Sequence, residues 1–354
     1  MQKPYIQTFS NKKIGIFALL TFVFVIFAFI IGVIAGAVSI TIPDIFRILS
    51  DRLFHTSSYI GDKGTELIIW EIRLSRVVLA FIIGAALSLA GAAFQGLLRN
   101  TLADPYTIGV SSGASLGAVL VIFFHFSIGF LGDFTQPIVA IIFALLTLLI
   151  VLLITNFATG KYSNETIILA GIIISSFISA NISLVIALSS REDLSNIVYW
   201  LMGSVAMRGW GHVQLVLPFF IIGAVIILAH YRELNAMALG EEAAQFSGMN
   251  VKRKKKTILV GAAILAGAAV AVSGAIGFVG LVIPHLVRLI TGANHRYVLP
   301  FSLFVGGAYL VIADVISRTI IAPSELPIGI VTALIGSPVF AILLIKQRLN
   351  RKSV

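Results

Sequence analysis

The sequence predicts an all-α integral membrane protein of about ten transmembrane helices, and three observations carry that prediction. Hydrophobic residues make up 58% of the 354 and charged residues only 11%, against about a quarter charged in soluble domains. The apolar residues come in long unbroken runs, and one helical span takes roughly 20 of them. The runs lack the period-two alternation of barrel strands. Residues 1–354 are therefore expected to form a single transmembrane domain.

The first run, 14–38, carries no charge. It ends in Ala35-Gly36-Ala37, a triplet resembling a signal-cleavage site. A signal h-region is only about 7–15 residues long, so the run is expected to remain as the first span. Further spans are expected near 75–98, 106–126, 137–157, 166–189, 213–230, 257–276, 298–317 and 326–345. Between the seventh and the 298–317 span lies GFVGLVIPHLVRLI (277–290), short and interrupted by Pro284, which is expected to be a short tenth helix. Small residues crowd several spans, as in GAALSLAGAAFQG (84–96) and GAAILAGAAVAVSGAIG (261–277). They let helix backbones approach closely where lipid removes the hydrophobic drive for association, so a compact bundle is expected.

Threading ten spans with the N-terminus inside places 17 basic residues on inner segments, from Lys3, Lys12 and Lys13 through Arg99, Lys161 and Arg232 to the C-terminal cluster. It leaves eight outside: Arg47, Arg52, Lys63, Arg73, Arg76, Arg191, Arg208 and Arg318. That asymmetry predicts both termini in the cytoplasm, and it accounts for the net charge of +10 without nucleic acid. The chain has no cysteine, so disulfide, iron–sulfur and thiolate chemistry are excluded.

One connector stands apart. Residues 231–256, YRELNAMALGEEAAQFSGMNVKRKKK, are charged and helix-prone, and the threading places them in the cytoplasm. Leu234 to Ser247 has helical composition, with Glu241 and Glu242 on its exposed face and Gly248 where a C-terminal cap belongs. The basic residues 252–256 are expected to anchor the next span at the headgroups. On the opposite face, Arg73, Arg76 and Arg318 run against the positive-inside bias. Asp314 stands one turn before Arg318, a spacing that suits an internal ion pair. Three outward guanidiniums also suit carboxylates of a partner, which arginine binds bidentately.

Nothing in the chain points to catalysis. There is no G-x-x-x-x-G-K-[ST] phosphate loop. His55, His125, His212, His230, His285 and His295 are scattered and show no metal-ligand spacing. His285 and Arg288 are expected to hydrogen-bond the bent backbone around Pro284. Gln95, Asn156 and Asn181 lie within spans, where such side chains either line a polar pathway or bond helices together. Gln95 and Asn181 are the candidates for lining such a pathway.

Glu242-Ala243-Ala244-Gln245-Phe246-Ser247-Gly248 matches E-A-A-x-x-x-G. It resembles the loop by which importer permeases dock into their ATPase subunits. RLSRVVLAFIIGAALSLAGAAFQGLLRNTLADPYTIGVSSGASLGA (73–118), WLMGSVAMRGW (200–210) and the long stretch from Gly274 to Leu344 resemble the FecCD-type ABC-importer permeases for iron–siderophores, haem and vitamin B12. The resemblance covers about 73–345. It implies a type II ABC-importer permease bundle in the bacterial cytoplasmic membrane, paired with a second permease chain. It implies cytoplasmic ATP-binding subunits docked on 231–256 through Leu239, Gly240, Glu241, Glu242, Ala243, Ala244 and Gly248. It also implies an extracytoplasmic substrate-binding protein whose acidic residues meet Arg73, Arg76 and Arg318. No cofactor is implied, and ATP hydrolysis would lie on the separate subunit. Ser75 and Thr101 stand where the family usually has proline, so those two junctions are expected to be looser.

The expected function is therefore passage of an iron–siderophore complex by alternating access, with haem or cobalamin as alternative cargo. An ion-coupled secondary transporter would need membrane-embedded acids, for which Asp314 is the obvious candidate. A multispan membrane enzyme lacks the necessary His/Asp/Glu clusters.

Overall fold

The computed structural model describes residues 11–36, 38, 40–54, 61–160 and 162–352. Lys3, Ala37, His55 and Lys161 lie outside the described residues. Fifteen α-helices follow one another among those described: α1 (Asn11–Ile34), α2 (Ile42–Phe54), α3 (Lys63–Leu67), α4 (Ser75–Leu98), α5 (Val110–Phe123), α6 (Thr135–Thr159), α7 (Asn164–Leu188), α8 (Arg191–Leu201), α9 (Gly209–Ala229), α10 (Tyr231–Leu239), α11 (Glu241–Phe246), α12 (Val251–Ser273), α13 (Val279–Thr291), α14 (His295–Thr319) and α15 (Ile328–Lys352). A π-helical stretch, Ile68–Leu74, joins α3 to α4 without a break.

All ten expected spans are present as helices. Seven are long and apolar enough to cross a membrane, and three apolar helices are shorter: Val110–Phe123, Val279–Thr291 and Ile328–Leu343. The span expected from residue 106 begins only at Val110. Before it, Thr107 N–H donates to Asp104 Oδ1 at 2.9 Å and the Thr107 hydroxyl to the Asp104 carbonyl at 2.7 Å. This tight turn uses Asp104 as an Asx-type acceptor, and Gly109 then leaves it at φ +87°. Burial raises the Asp104 carboxyl above its ordinary range, against the lowering effect of the Thr107 amide.

Helix α4 is the axis of the bundle, with α14, α12, α13 and α9 packed around it. Its side chains are buried along nearly its whole length, while α1 and α7 leave most of theirs exposed. The cause is its composition. A Cβ at Gly84 would stand 2.3 Å from the Gly306 carbonyl oxygen of α14, and one at Gly91 would stand 1.9 Å from that of Gly280 in α13. At these crossings backbone meets backbone. Attraction between helices in lipid then comes from close van der Waals contact.

Besides α3, which the π-helical stretch fuses to α4, two short helices lie outside the predicted set. Helix α2 is amphipathic, with Ile45 and Ile48 buried and Phe46 and Phe54 exposed. Helix α8 opens with Ser190 as N-cap, accepting from Asp193 N–H at 3.2 Å. Ser75 does not loosen its junction. Its hydroxyl donates to the Glu71 carbonyl, and the helix runs through.

The bundle has two ends. One gathers Arg99, Gly160, the α10–α11 region and Asn294: Lys252 Nζ reaches the Gly160 carbonyl, Asn235 bonds Asn294, and Arg99 lies 4.0 Å from where a Gly240 Cβ would stand. We call it the loop end. The other, the far end, gathers α2, α3, α8 and the 320–327 turn. There Trp210 Nε1 donates to the Trp70 carbonyl at 2.9 Å, and Ile328 N–H donates to that of Gly203 at 3.0 Å. The Phe17 ring meets that of Phe301 at a tilt, with centroids 4.7 Å apart, so α1 starts on the same side as α14, the loop end.

Candidate functional site

At the loop end, residues 231–250 form a compact helical pair. The single helix expected over 234–247 is broken at Gly240, whose φ of +131° and ψ of +147° belong to a region essentially closed to residues with a Cβ. Helix α10 buries Leu234 and Met237 against the bundle, and α11 buries Ala244. Leu239, Glu242, Ala243 and Phe246 point outward, Phe246 at 91% exposure. Gly248 ends the pair at φ +84° with nothing within 4 Å of a Cβ placed there. It is the left-handed cap that the sequence suggested, required for backbone conformation and not for space.

Glu241 is only part-exposed, at 36%, and is engaged by its own chain. Its carboxylate lies 2.6 Å from Lys255 Nζ, and Lys255 is 1% exposed. The same ammonium donates to the Tyr162 carbonyl. Lys254 pairs with Glu233 at 2.7 Å, and Lys252 reaches Asn156 Oδ1 and the Gly160 carbonyl at 3.2 and 3.3 Å. Thus, of the five basic residues expected at lipid headgroups, Lys254 and Lys255 tie the helical pair to α12, and Lys252 and Lys255 tie α12 to the end of α6 and the turn after it. Desolvation is the largest single influence on Glu233 and opposes its ionisation, but the hydrogen bond and charge of Lys254, with a backbone hydrogen bond, together outweigh it and hold the carboxyl below its ordinary value. A recess of about 490 Å³ opens beside this element, lined by Arg99, Ser163, Asn164, Glu165 and residues 239–243.

A relay leads inward from α10. Asn235 Oδ1 accepts from the backbone N–H of His295 at 2.8 Å and lies 2.9 Å from its Nδ1. The His295 ring abuts Gly96 so closely that a Cβ there would be 2.3 Å from Nε2. Gln95, next in α4, is buried. It donates to the carbonyls of Gly280 and Leu281 at 3.3 and 3.0 Å and accepts from Arg288 Nη1. Gln95 therefore bonds α4 to α13, the helix-joining alternative, and lines none of the cavities described here. Asn181 turns back to the Phe177 carbonyl of its own helix at 2.8 Å. Among the described residues neither His285 nor Arg288 is seen to bond the backbone around Pro284 as expected; Arg288 reaches Gln95 and the Ala92 carbonyl of α4 instead. The His285 ring stands edge-on to Phe340 at 6.1 Å. The hydroxyl-lined space lies elsewhere: a cavity of about 410 Å³ bounded by Tyr106, Thr107, Ile172, Ser175, Ser176 and Ser179. Spacing by three and four along α7 was the available signal for these serines.

At the far end, the three arginines expected to be offered outward are buried instead. Arg73 Nη1 donates to the carbonyls of Val33 and Ile34 at 3.1 and 2.9 Å, and Nη2 donates to that of Val38. It thereby caps the open C-terminal end of α1, whose last carbonyls have no intrahelical partner. Arg318 Nη2 donates to the Gly32 carbonyl at 2.6 Å, and its Nε lies 3.4 Å from Asp314. Arg76 sits between two acids. Its Nε is 2.9 and 3.1 Å from the Asp314 oxygens, and its Nη1 and Nη2 each lie 2.9 Å from a Glu325 oxygen. Asp314 is thus fully engaged with cations. Among the described residues no group of three His, Cys, Asp or Glu could hold a metal ion.

The model of the FecCD transport family matches residues 24–346. The uncharacterised ABC transporter permease protein YvrB of Bacillus subtilis is 49% identical over 333 residues, 94% of each chain. The hemin transport system permease protein HmuU of Yersinia pestis is 40% identical over 289 residues, covering 80% of this chain and 85% of its own. Among solved structures, a chain from an inward-facing transporter assigned to the metal-chelate ABC type superposes with a TM-score of 0.80 at 32% identity, over 94% of this chain and 99% of that one.

Proposed function

The chain belongs to the FecCD transport family, and from that premise we propose that it passes an iron–siderophore complex across the bacterial cytoplasmic membrane. It is the permease subunit of a type II ABC importer, and the ATPase is a separate subunit. The observation that carries the mechanistic reading is the clamped helical pair at the loop end. Leu239, Glu242, Ala243 and Phe246 face outward from it, while Lys254 and Lys255 lock it to α12. A soluble ATPase that seats on those outward residues moves α10 and α11 as one body. Lys255 carries that motion into α12, and the Asn235–His295 contact carries it into α14 and against α4. Alternating access follows when these helices shift around the hydroxyl-lined cavity at Ser175, Ser176 and Ser179. The loop end is then cytoplasmic and the far end outward, where a substrate-binding protein docks near the Arg73, Arg76 and Arg318 cluster.

A chelated metal as cargo is supported by the likeness to a metal-chelate transporter at TM-score 0.80. Haem is the second reading, favoured by the 40% identical hemin permease. The test is uptake in proteoliposomes holding the chain, its ATPase and its binding protein, with ferric siderophore or haem outside. Siderophore uptake that requires internal ATP is expected. Uptake by the chain alone under a pH gradient would move the case to an ion-coupled transporter. Preferential uptake of haem would move it to the second reading.

A further inference from the structure

The turn over residues 319–325 is exposed along its length, yet one of its side chains reaches back into the bundle. Glu325 binds the outer fork of Arg76 through Nη1 and Nη2, both at 2.9 Å. Asp314 binds the inner edge through Nε and Nη2. The two carboxylates differ in one respect that decides their roles. The Asp314 side chain is 1% exposed and the Glu325 side chain 42% exposed. A wholly buried pair cannot lose one member without stranding the other, whereas a carboxylate already 42% exposed regains water at little cost when it leaves, and its departure opens the Arg76 fork to whatever replaces it. The backbone around Glu325 stays in place when its side chain leaves. Leu326 N–H is held by the Ser317 carbonyl at 2.9 Å and Ile328 N–H by that of Gly203 at 3.0 Å. Release of Glu325 therefore takes a side-chain rotation only. It would leave Arg73, Arg76 and Arg318 beside a single carboxylate, with the vacated fork of Arg76 shaped for a planar anion.

We propose that Glu325 is a built-in stand-in for a partner's carboxylate, and that an acidic side chain of the substrate-binding protein docks by exchanging with it at Arg76. This rests on the reading that the far end receives that protein. The exchange makes docking conditional, because a site occupied by its own chain most of the time shows an apparent affinity reduced by the fraction that is open. It also reconciles three buried arginines with a docking role: only Arg76 has a face that its own chain can vacate. Arg73 stays on the α1 carbonyls and Arg318 on Gly32 and Asp314 as the positive floor.

The test measures docking of the substrate-loaded binding protein to the permease–ATPase complex in nanodiscs. Glu325→Gln removes the stand-in charge, and docking is expected to tighten roughly two- to sixfold, the scale of a weak pair that must open first. Arg76→Gln is expected to weaken docking, and in that background Glu325→Gln is expected to have no further effect. Glu325→Asp, one methylene shorter, is expected to tighten docking in the same direction by less. An unchanged or weakened Kd in both Glu325 variants overturns the exchange, as does failure of both to assemble, which would make Glu325 structural. If Arg76→Gln weakens docking while the Glu325 variants do nothing, the exchange is wrong and the docking reading stands. If Arg76→Gln also leaves docking unchanged, the docking reading itself falls.

Discussion

Gly91 shows how much one residue decides here. A methyl group on it would sit 1.9 Å from the Gly280 carbonyl oxygen, and that obstacle is backbone, so no rotamer change relieves it. Overpacking of this kind costs about 1–3 kcal/mol or more. Gly91→Ala is expected to lower the thermal midpoint of the purified chain in detergent by several degrees. Gly15→Ala, on the open face of α1 where nothing lies within 4 Å, is expected to leave it unchanged or slightly raised, because alanine favours helix over glycine. Equal midpoints would mean that α4 and α13 can separate without penalty. Gly248 was legible because a left-handed cap is a local property of the chain. The burial of Arg73 was not, because its acceptors are carbonyls of Val33, Ile34 and Val38 in another helix. Charge counting places a residue at one end of a bundle. It does not say whether the side chain faces water or a helix terminus.

Among elements, the long apolar runs were legible, since span length and hydropathy follow directly from bilayer thickness. Helices α2 and α8 were not. Each carries charges on one face and buries only a few apolar side chains, such as Ile48 and Ile197, so hydropathy passes over them. The break at Gly240 was hidden because both flanks have good helix formers, and only the backbone angles reveal it. The lysines of α12 misled for another reason: a basic run before a span is usually a headgroup anchor, but Lys255 has a carboxylate from α11 within reach. That pair joins the helical pair to the bundle, so its loss should uncouple the two. In Lys255→Met the size is kept and the charge is gone. Uptake per ATP hydrolysed in proteoliposomes is expected to fall several-fold while ATPase activity of the complex persists. The exposed neighbour Lys256→Ala is expected to change neither. An unaltered ratio in Lys255→Met would show that force passes by another route, the Asn235–His295 contact being the next candidate.

For the molecule as a whole, everything hangs on which end faces the cytoplasm, since ATP is available on one side only. The 17-to-8 distribution of basic residues favours the loop end inside, and the chain lends itself to a direct test because it contains no cysteine. A single introduced thiol is then the sole reporter. Met207 and Phe130, 99% and 88% exposed, lie at the far end, and Phe246, 91% exposed, lies at the loop end. In cells expressing the chain without its ATPase, Met207→Cys and Phe130→Cys are expected to react with a membrane-impermeant maleimide while the cells are intact. Phe246→Cys is expected to react only after permeabilisation. None of the three side chains supports packing, so folding should not obscure the result. The opposite pattern would place Leu239, Glu242 and Phe246 in a compartment without ATP and would point the Arg76–Glu325 pair at the cytoplasm. Both docking assignments would then fall together, whereas the family membership and the bundle itself would stand, because neither depends on orientation.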